Sequence, residues 1–224
     1  MNIGILECGP VPAALRDTYI SYPAMFAAQL APLLPSATFE TVAVAQGEAL
    51  PDPMALDAWL LTGSRHGVYD DLPWIGPLKD FIRAAAALKR PMVGVCFGHQ
   101  IIAEALGGRV QKAEIGWRVG METYETHFDG AARNVAMPAF HQDQVIVQPP
   151  GSEIVAQSEA CPYAALRYND APILSVQFHP EFSRAYLSDL IDVLAKHDAA
   201  PGLPGDATMD DTGMRWIADF LAGR

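Results

Sequence analysis

The chain has 224 residues, of which 50% are hydrophobic and 18% charged, and 15 Lys and Arg stand against 26 Asp and Glu for a formal charge of -11. A chain of this length removes roughly 70% of its unfolded surface from water on folding, so it needs no metal or disulfide staple, and its composition excludes disorder and coiled coil. The negative field, with no basic run to interrupt it, argues against a nucleic-acid partner.

A membrane partner is not expected either. The uncharged stretch from Thr18 to Phe39 is broken by Pro23, Pro32 and Pro35 and by polar residues. Arg16 is the first basic residue, so the positive start of a secretory signal is absent, and Cys8, Cys96 and Cys161 follow neither a disulfide framework nor a zinc spacing. A reducing cytoplasm is the expected address.

In chain order, Asn2 to Leu6 is a short apolar run cut off at Gly9-Pro10 and predicts a buried strand, followed by an apolar helical region punctuated by prolines. Phe39 to Ala45 and Ala58 to Thr62 predict two more strands, the second delivering a glycine loop at Gly63-Ser64. Leu78, Phe81, Ile82, Ala85 and Leu88 recur at helical spacing from Pro77 to Arg90, with Lys89 and Arg90 expected in the last turn. Met92 to Val95 is a core strand, and Gly98 to Leu106 a helix with Ile101, Ile102, Ala105 and Leu106 on one face.

This alternation predicts a three-layer α/β/α fold around a mostly parallel sheet, with ligands gathering at the carboxyl ends of the strands. From Val110 to Phe178 short β-rich segments form a small antiparallel excursion that returns to a core strand at Ile173 to Val176. A last helix carries Leu187, Leu190, Ile191 and Leu194. Residues 1–198 are therefore expected to be one domain, and 199–224 a linker over Ala199 to Gly213 plus a short amphipathic helix with Met214, Ile217 and Leu221 packed on it.

Gly94-Val95-Cys96-Phe97-Gly98 has the small-x-nucleophile-x-small layout of a strand that turns sharply into a helix. Such a turn crowds the residues two before and two after the nucleophile, so a Cβ there would clash. A thiol at a helix start also faces unpaired N–H groups and the positive dipole end, which favour thiolate. Gln177-Phe178-His179-Pro180-Glu181 follows an apolar strand, and residues two apart in extended chain share a side. Glu181 is thus placed to hold one nitrogen of His179 while the other faces a thiol. The competing explanations are a small core cysteine and a surface His-x-Glu pair.

Together, GVCFGHQ at 94–100 and QFHPE at 177–181, after the Gly63-Ser64 loop, resemble the class I (triad) glutamine amidotransferases. Within the family, the His141-Gln-Asp-Gln-Val145 segment is similar to the His-x-Asp-x-Val stretch of free-standing GMP synthase amidotransferase-like proteins. The run from Gly63 to Trp74 resembles the γ-glutamyl peptidases. The resemblance implies Cys96 as nucleophile, His179 as general base and acid, and Glu181 as its orienting partner. It further implies an oxyanion hole from the N–H groups of Gly63, Ser64 and Phe97, and a glutamine or γ-glutamyl substrate held by Gln100 and by the backbone near His141 and Gln142. Many members have a second glycine where this chain has Ser64.

The implied reaction needs no cofactor and no metal. The chain has neither a P-loop nor a Ser-Gly-Gly-x-Asp-Ser loop, so a separate synthase subunit would accept the ammonia, unless the enzyme works alone on a γ-glutamyl compound. His66, His99, His127 and His197 lie outside the motifs. A mixed cluster of His66, His141 and Asp143 lacks any ligand spacing on one helix or hairpin. Trp59, Trp74, Trp117 and Trp216 are expected as packing, with Trp74 near the active-site side of the glycine loop.

Overall fold

Strand β1 (Asn2–Leu6) is buried from its second residue onward because it pairs on both sides, in parallel, with β2 (Thr38–Val42) and β3 (Ala58–Leu61). The structure is a computed structural model and describes residues 1–128, 130–195 and 211–224, with only the backbone of Leu194 and Ala195. Between β1 and β2 lie α1 (Arg16–Tyr19) and α2 (Tyr22–Leu30). Ser21 caps α2, its hydroxyl accepting from the Ala24 N–H at 3.2 Å, and Pro23 sits in the first turn, where its missing donor costs nothing.

The chain continues through α3 (Ile75–Ala87), β4 (Met92–Val95) and α4 (Phe97–Ala105), then β5 (Arg109–Lys112), β6 (Arg118–Thr126), β7 (Arg133–His141) and β8 (Asp143–Val147). It closes with β9 (Ser152–Gln157), β10 (Ala165–Tyr168), β11 (Ile173–Val176), α5 (Arg184–Ala195) and α6 (Thr212–Leu221). Nine strands form one sheet in the order β2-β1-β3-β4-β11-β10-β9-β6-β7, while β5 and β8 pair separately. The half from β2 to β11 is parallel and the half from β11 to β7 antiparallel, so the excursion extends the main sheet.

The strand period of two divides the core between the faces. Ile3, Ile5, Leu60, Val93, Val95, Leu174 and Val176 meet Phe26 and Leu30 of α2 and Met214, Ile217 and Leu221 of α6. Trp59, Leu61, Met92 and Ile173 meet Leu78, Phe81 and Ile82 of α3 and Ile101 and Ile102 of α4. Both faces are covered, giving the three-layer α/β/α architecture.

Three boundaries differ most from the sequence expectation, the first being the end of β2, which stops at Val42 rather than Ala45 because the chain turns into a single 3-10 turn over Val44–Gln46. Helix α3 ends at Ala87, and Lys89 and Arg90 stand beyond it. Lys89 adopts φ +55°, and the N–H groups of Lys89 and Arg90 donate to Ala86 O (3.0 Å) and Ala85 O (2.9 Å), satisfying orphan carbonyls before Pro91 bars further helix. The expected linker lies outside the described residues up to 210, and its last residues, Thr212 and Gly213, open α6. Helix α6 packs Trp216 on Phe128 with ring centroids 4.0 Å apart and planes 10° from parallel. Among the described residues no helix is long and apolar enough to cross a membrane.

Candidate active site

Strands β4 and β11 are parallel neighbours with Val95 opposite Val176, so the residues after them, Cys96 on one and Gln177-Phe178-His179 on the other, emerge side by side. The Cys96 N–H donates to Val176 O at 2.8 Å, tying the turn to that strand. Cys96 has φ 52° and ψ -105°, a strained conformation for a residue with a Cβ, and caps α4. The flanking glycines are sterically required: a Cβ on Gly94 would stand 2.5 Å from Gly98 O, and one on Gly98 would run into the backbone of Leu61.

His179 is anchored by its N–H to Pro138 O of β7 at 2.8 Å, and the carbonyl of Glu181 accepts from Gln29 Nε2 of α2 at 2.7 Å. His179 Nδ1 lies 2.8 Å from Glu181 Oε1, which leaves Nε2 free of Glu181, and the Cys96 thiol is close enough to the ring to act on it electrostatically. All three are buried, at 5% (Cys96), 4% (His179) and 1% (Glu181) exposure. Burial alone would push the His179 pKa down; the charges on Glu181 and Cys96, with their hydrogen bonds, outweigh it and raise it to about 10. The outer face of the imidazole stacks on Phe182, centroids 4.0 Å apart.

The Gly63-Ser64 loop leaves β3, the neighbour of β4 on the other side. The Thr62 hydroxyl accepts from the Cys8 N–H at 3.0 Å and donates to Gly63 O at 3.1 Å. A Cβ on Gly63 would lie 3.1 Å from His179 Cε1 and 3.8 Å from Cys96 Cβ, so a side chain there would press on the imidazole and require the loop or the ring to give. The N–H groups of Gly63 and Ser64 have no acceptor among the described residues, and that of Phe97 starts α4, where no intrahelical partner exists. Ser64 Oγ accepts from the His66 N–H at 3.2 Å, and its side chain rests over Gly9.

Gln100 Nε2 donates to Asp143 O (2.8 Å) and Gln177 Oε1 (3.1 Å), so its amide nitrogen is committed to protein. The Gln142 carbonyl accepts from the Ala113 N–H at 2.9 Å. His141 is buried with neither ring nitrogen bonded, and burial, then the nearby His179 charge, lowers its pKa to about 3. Buried His99 is likewise lowered to about 3 by desolvation, with Nδ1 2.8 Å from Ser175 Oγ. Both rings are neutral at pH 7.

Several neighbours escaped the sequence. Phe140 O lies 4.0 Å from Cys96 Sγ, and the Tyr69 hydroxyl donates to Asp143 Oδ2 at 2.8 Å, joining the segment after the glycine loop to the start of β8. Trp74 packs on Phe97, whereas Trp117 is 40% exposed on Phe140. Cys8 and Cys161 are buried thiols whose pKa desolvation pushes up, unlike a reactive cysteine. His66 pairs with Asp70 and His127 with Glu125, while His197 lies outside the described residues. Among the described residues no group of three or more His, Cys, Asp or Glu is placed to hold a metal ion.

The model of the family described as glutamine amidotransferase class-I matches residues 15–187. A glutamine-hydrolysing GMP synthase subunit from Sulfolobus acidocaldarius is 33% identical over 146 residues, 63% of this chain and 76% of that protein. Gamma-glutamyl peptidase 3 of Arabidopsis thaliana is 29% identical over 147 residues, 61% of this chain and 59% of the relative. Of solved structures, a glutamine amidotransferase from Methylobacillus flagellatus superposes with TM-score 0.79 at 20% identity, covering 99% of this chain and 92% of that one. Another, from Thermotoga maritima, gives 0.75 at 18%, covering 99% and 97%. With the family model spanning most of the chain and the α/β/α fold shared end to end, the protein belongs to the class I glutamine amidotransferases.

Proposed function

We propose that the protein hydrolyses the side-chain amide of glutamine, or of a γ-glutamyl compound, through a γ-glutamyl thioester on Cys96. The observation that supports this reading is the buried grouping of Glu181 Oε1, the His179 imidazole and the Cys96 thiol, with Gly63 of the glycine loop packed against both His179 and Cys96. A buried Glu181 charge favours imidazolium on His179, the form that can give a proton to a departing nitrogen.

The thiolate attacks the side-chain carbonyl carbon, and its oxygen gathers negative charge that the N–H groups of Gly63, Ser64 and Phe97 stabilise, one such donor being worth about 3 kcal/mol of barrier. His179 gives its proton to the departing nitrogen as the C–N bond breaks, then takes one from the water that attacks the thioester. The C–S bond breaks, glutamate leaves and the thiolate is restored. Gln100 and the backbone near His141 and Gln142 hold the amino-acid end. In this scheme residues 1–198 are the amidase domain, 199–224 a linker and docked helix, and the chain works in the cytoplasm.

Ammonia released in this way goes to a separate acceptor-activating synthase subunit, consistent with the relatives named as glutamine-hydrolysing GMP synthase subunits. A second reading, a stand-alone γ-glutamyl peptidase, is favoured by the relatives of that name and by the run from Gly63 to Trp74. A non-catalytic γ-glutamyl-ligand or partner-binding protein has no use for nucleophile, base and orienter together. Replacing Cys96→Ala is expected to abolish glutamate release from glutamine while the protein stays folded. Turnover by that variant at the wild-type rate overturns the reading.

A further inference from the structure

The chemistry proposed above fixes where a leaving amine must lie: on the His179 side of the thiol, within reach of the proton it receives. Strand β7 runs beside the thiol and presents apolar side chains around it. Phe140 holds its carbonyl 4.0 Å from Cys96 Sγ and pairs across the β6–β7 ladder with Val119. Directly paired residues share a face and the strand period is two, so Val119 and Met121, with Trp117 two residues before Val119, lie on the same side as Phe140.

Val119, Met121 and Phe140 all pack against the cluster containing Phe182, the ring stacked on His179. Trp117 covers Phe140 at a centroid distance of 5.5 Å and remains 40% exposed, and Ile115, two residues earlier in the chain, is 59% exposed. These side chains carry no charge. The one guanidinium on this stretch of strand, Arg118, alternates to the opposite face and is held by Glu122 Oε2 at 2.9 Å.

Ammonia leaving from glutamine needs no apolar wall, and the amino-acid leaving group of a γ-glutamyl peptide carries a carboxylate that calls for a cation. The geometry points to a third class: γ-glutamyl amides of apolar amines, aryl or alkyl, whose carbon skeleton lies against Trp117 and Phe140 as His179 protonates the nitrogen. This assignment rests on the Cys96, His179 and Glu181 reading.

The test measures glutamate release by the purified full chain from glutamine, γ-glutamylglycine, γ-glutamylanilide and γ-glutamylbenzylamide. The apolar amides are expected to exceed the other two in kcat/KM by about 10-fold or more, the scale on which an apolar pocket discriminates. Trp117→Ala should remove most of that advantage and Trp117→Phe should keep most of it. Equal or better turnover of glutamine or γ-glutamylglycine overturns the apolar subsite and leaves the amidase reading standing. No glutamate from any substrate overturns both. An unchanged substrate ratio in Trp117→Ala also overturns it.

Discussion

Ser64 occupies its place in the candidate oxyanion loop because residue 9 is glycine: a Cβ at position 9 would stand 2.9 Å from Ser64 Oγ and 3.2 Å from Ser64 Cα. The absent side chain on β1's exit loop makes room for the extra one on β3's. Gly9→Ala is therefore expected to push the donor loop and lower glutaminase kcat by ~10-fold or more, part of the roughly 100-fold or more that losing one oxyanion donor outright costs. The double variant Gly9→Ala/Ser64→Gly should recover part of the loss. Steady-state kinetics on the two single variants and the double one measure the coupling, and additive losses would show that the two positions do not communicate.

The raised pKa of His179 sets the direction of the alkaline limb. A folded-state value near 10 against an ordinary value of 6.5 means the imidazolium persists through neutral pH and is lost only as pH rises toward 10. The kcat/KM profile for glutamine should stay level above neutrality and fall near pH 10. Glu181→Gln removes the largest favourable charge while keeping the hydrogen-bonding shape, and should move that limb to lower pH by about a unit or more. A limb that does not move would remove Glu181 from its orienting and charging role.

How much of this site the sequence discloses depends on whether the constraint is local. The elbow is legible because Gly94 is held to glycine by Gly98 and Ile102 just beyond the same turn, and together with Gly98, which a neighbouring strand's Leu61 crowds, it leaves the mark Gly-x-Cys-x-Gly. His179 and Glu181 are legible for the same reason, two residues apart on one extended segment. The partnership of Gly9 with Ser64 joins two strand exits that are distant in the chain. So does the Tyr69 to Asp143 hydrogen bond, and each residue taken alone is an ordinary loop residue. Strand order is likewise hidden: β11 inserts beside β4 and carries the antiparallel strands with it, a choice made by tertiary packing rather than by any strand's own pattern.

Strain at the nucleophile predicts a stability difference between two inactive variants. Cys96 holds φ 52°, which costs a residue with a Cβ about 1–3 kcal/mol. Cys96→Gly relieves that strain at the expense of roughly 0.5–1 kcal/mol of extra chain entropy. Cys96→Gly should therefore unfold at higher denaturant than Cys96→Ala, by about 1 kcal/mol. The reverse order in urea titrations would contradict the left-handed backbone at this residue.

Buried neutral histidines give the fold an acid weakness. His99 and His141 have folded-state values of about 3, below the ordinary 6.5, so between those values the unfolded chain binds protons that the folded chain refuses. Stability must then fall as pH drops through that window, with a maximum slope of about 1.4 kcal/mol per pH unit for each histidine. Urea midpoints across the window measure the combined slope, and His99→Asn should reduce it by one histidine's share. A slope unaffected by that substitution would mean that His99 is protonated in the folded protein.

The C-terminal helix is expected to be part of the cooperative fold. Ile217 of α6 is fully buried in the cluster that holds Ile3, Val93 and Leu174 from the centre of the sheet, and truncating such a residue to Ala costs about 2–5 kcal/mol in transfer and cavity terms. Ile217→Ala should lower the stability of the whole protein by that amount in a single unfolding transition. Exposed Arg224, on the same terminal segment, should change stability little when replaced by Ala, because its contact with Asp219 at 3.0 Å is solvent-screened. If Ile217→Ala leaves the midpoint unchanged, α6 is an appendage whose docking contributes nothing to the sheet it covers. A separate early transition would instead identify α6 as a unit that detaches before the core unfolds.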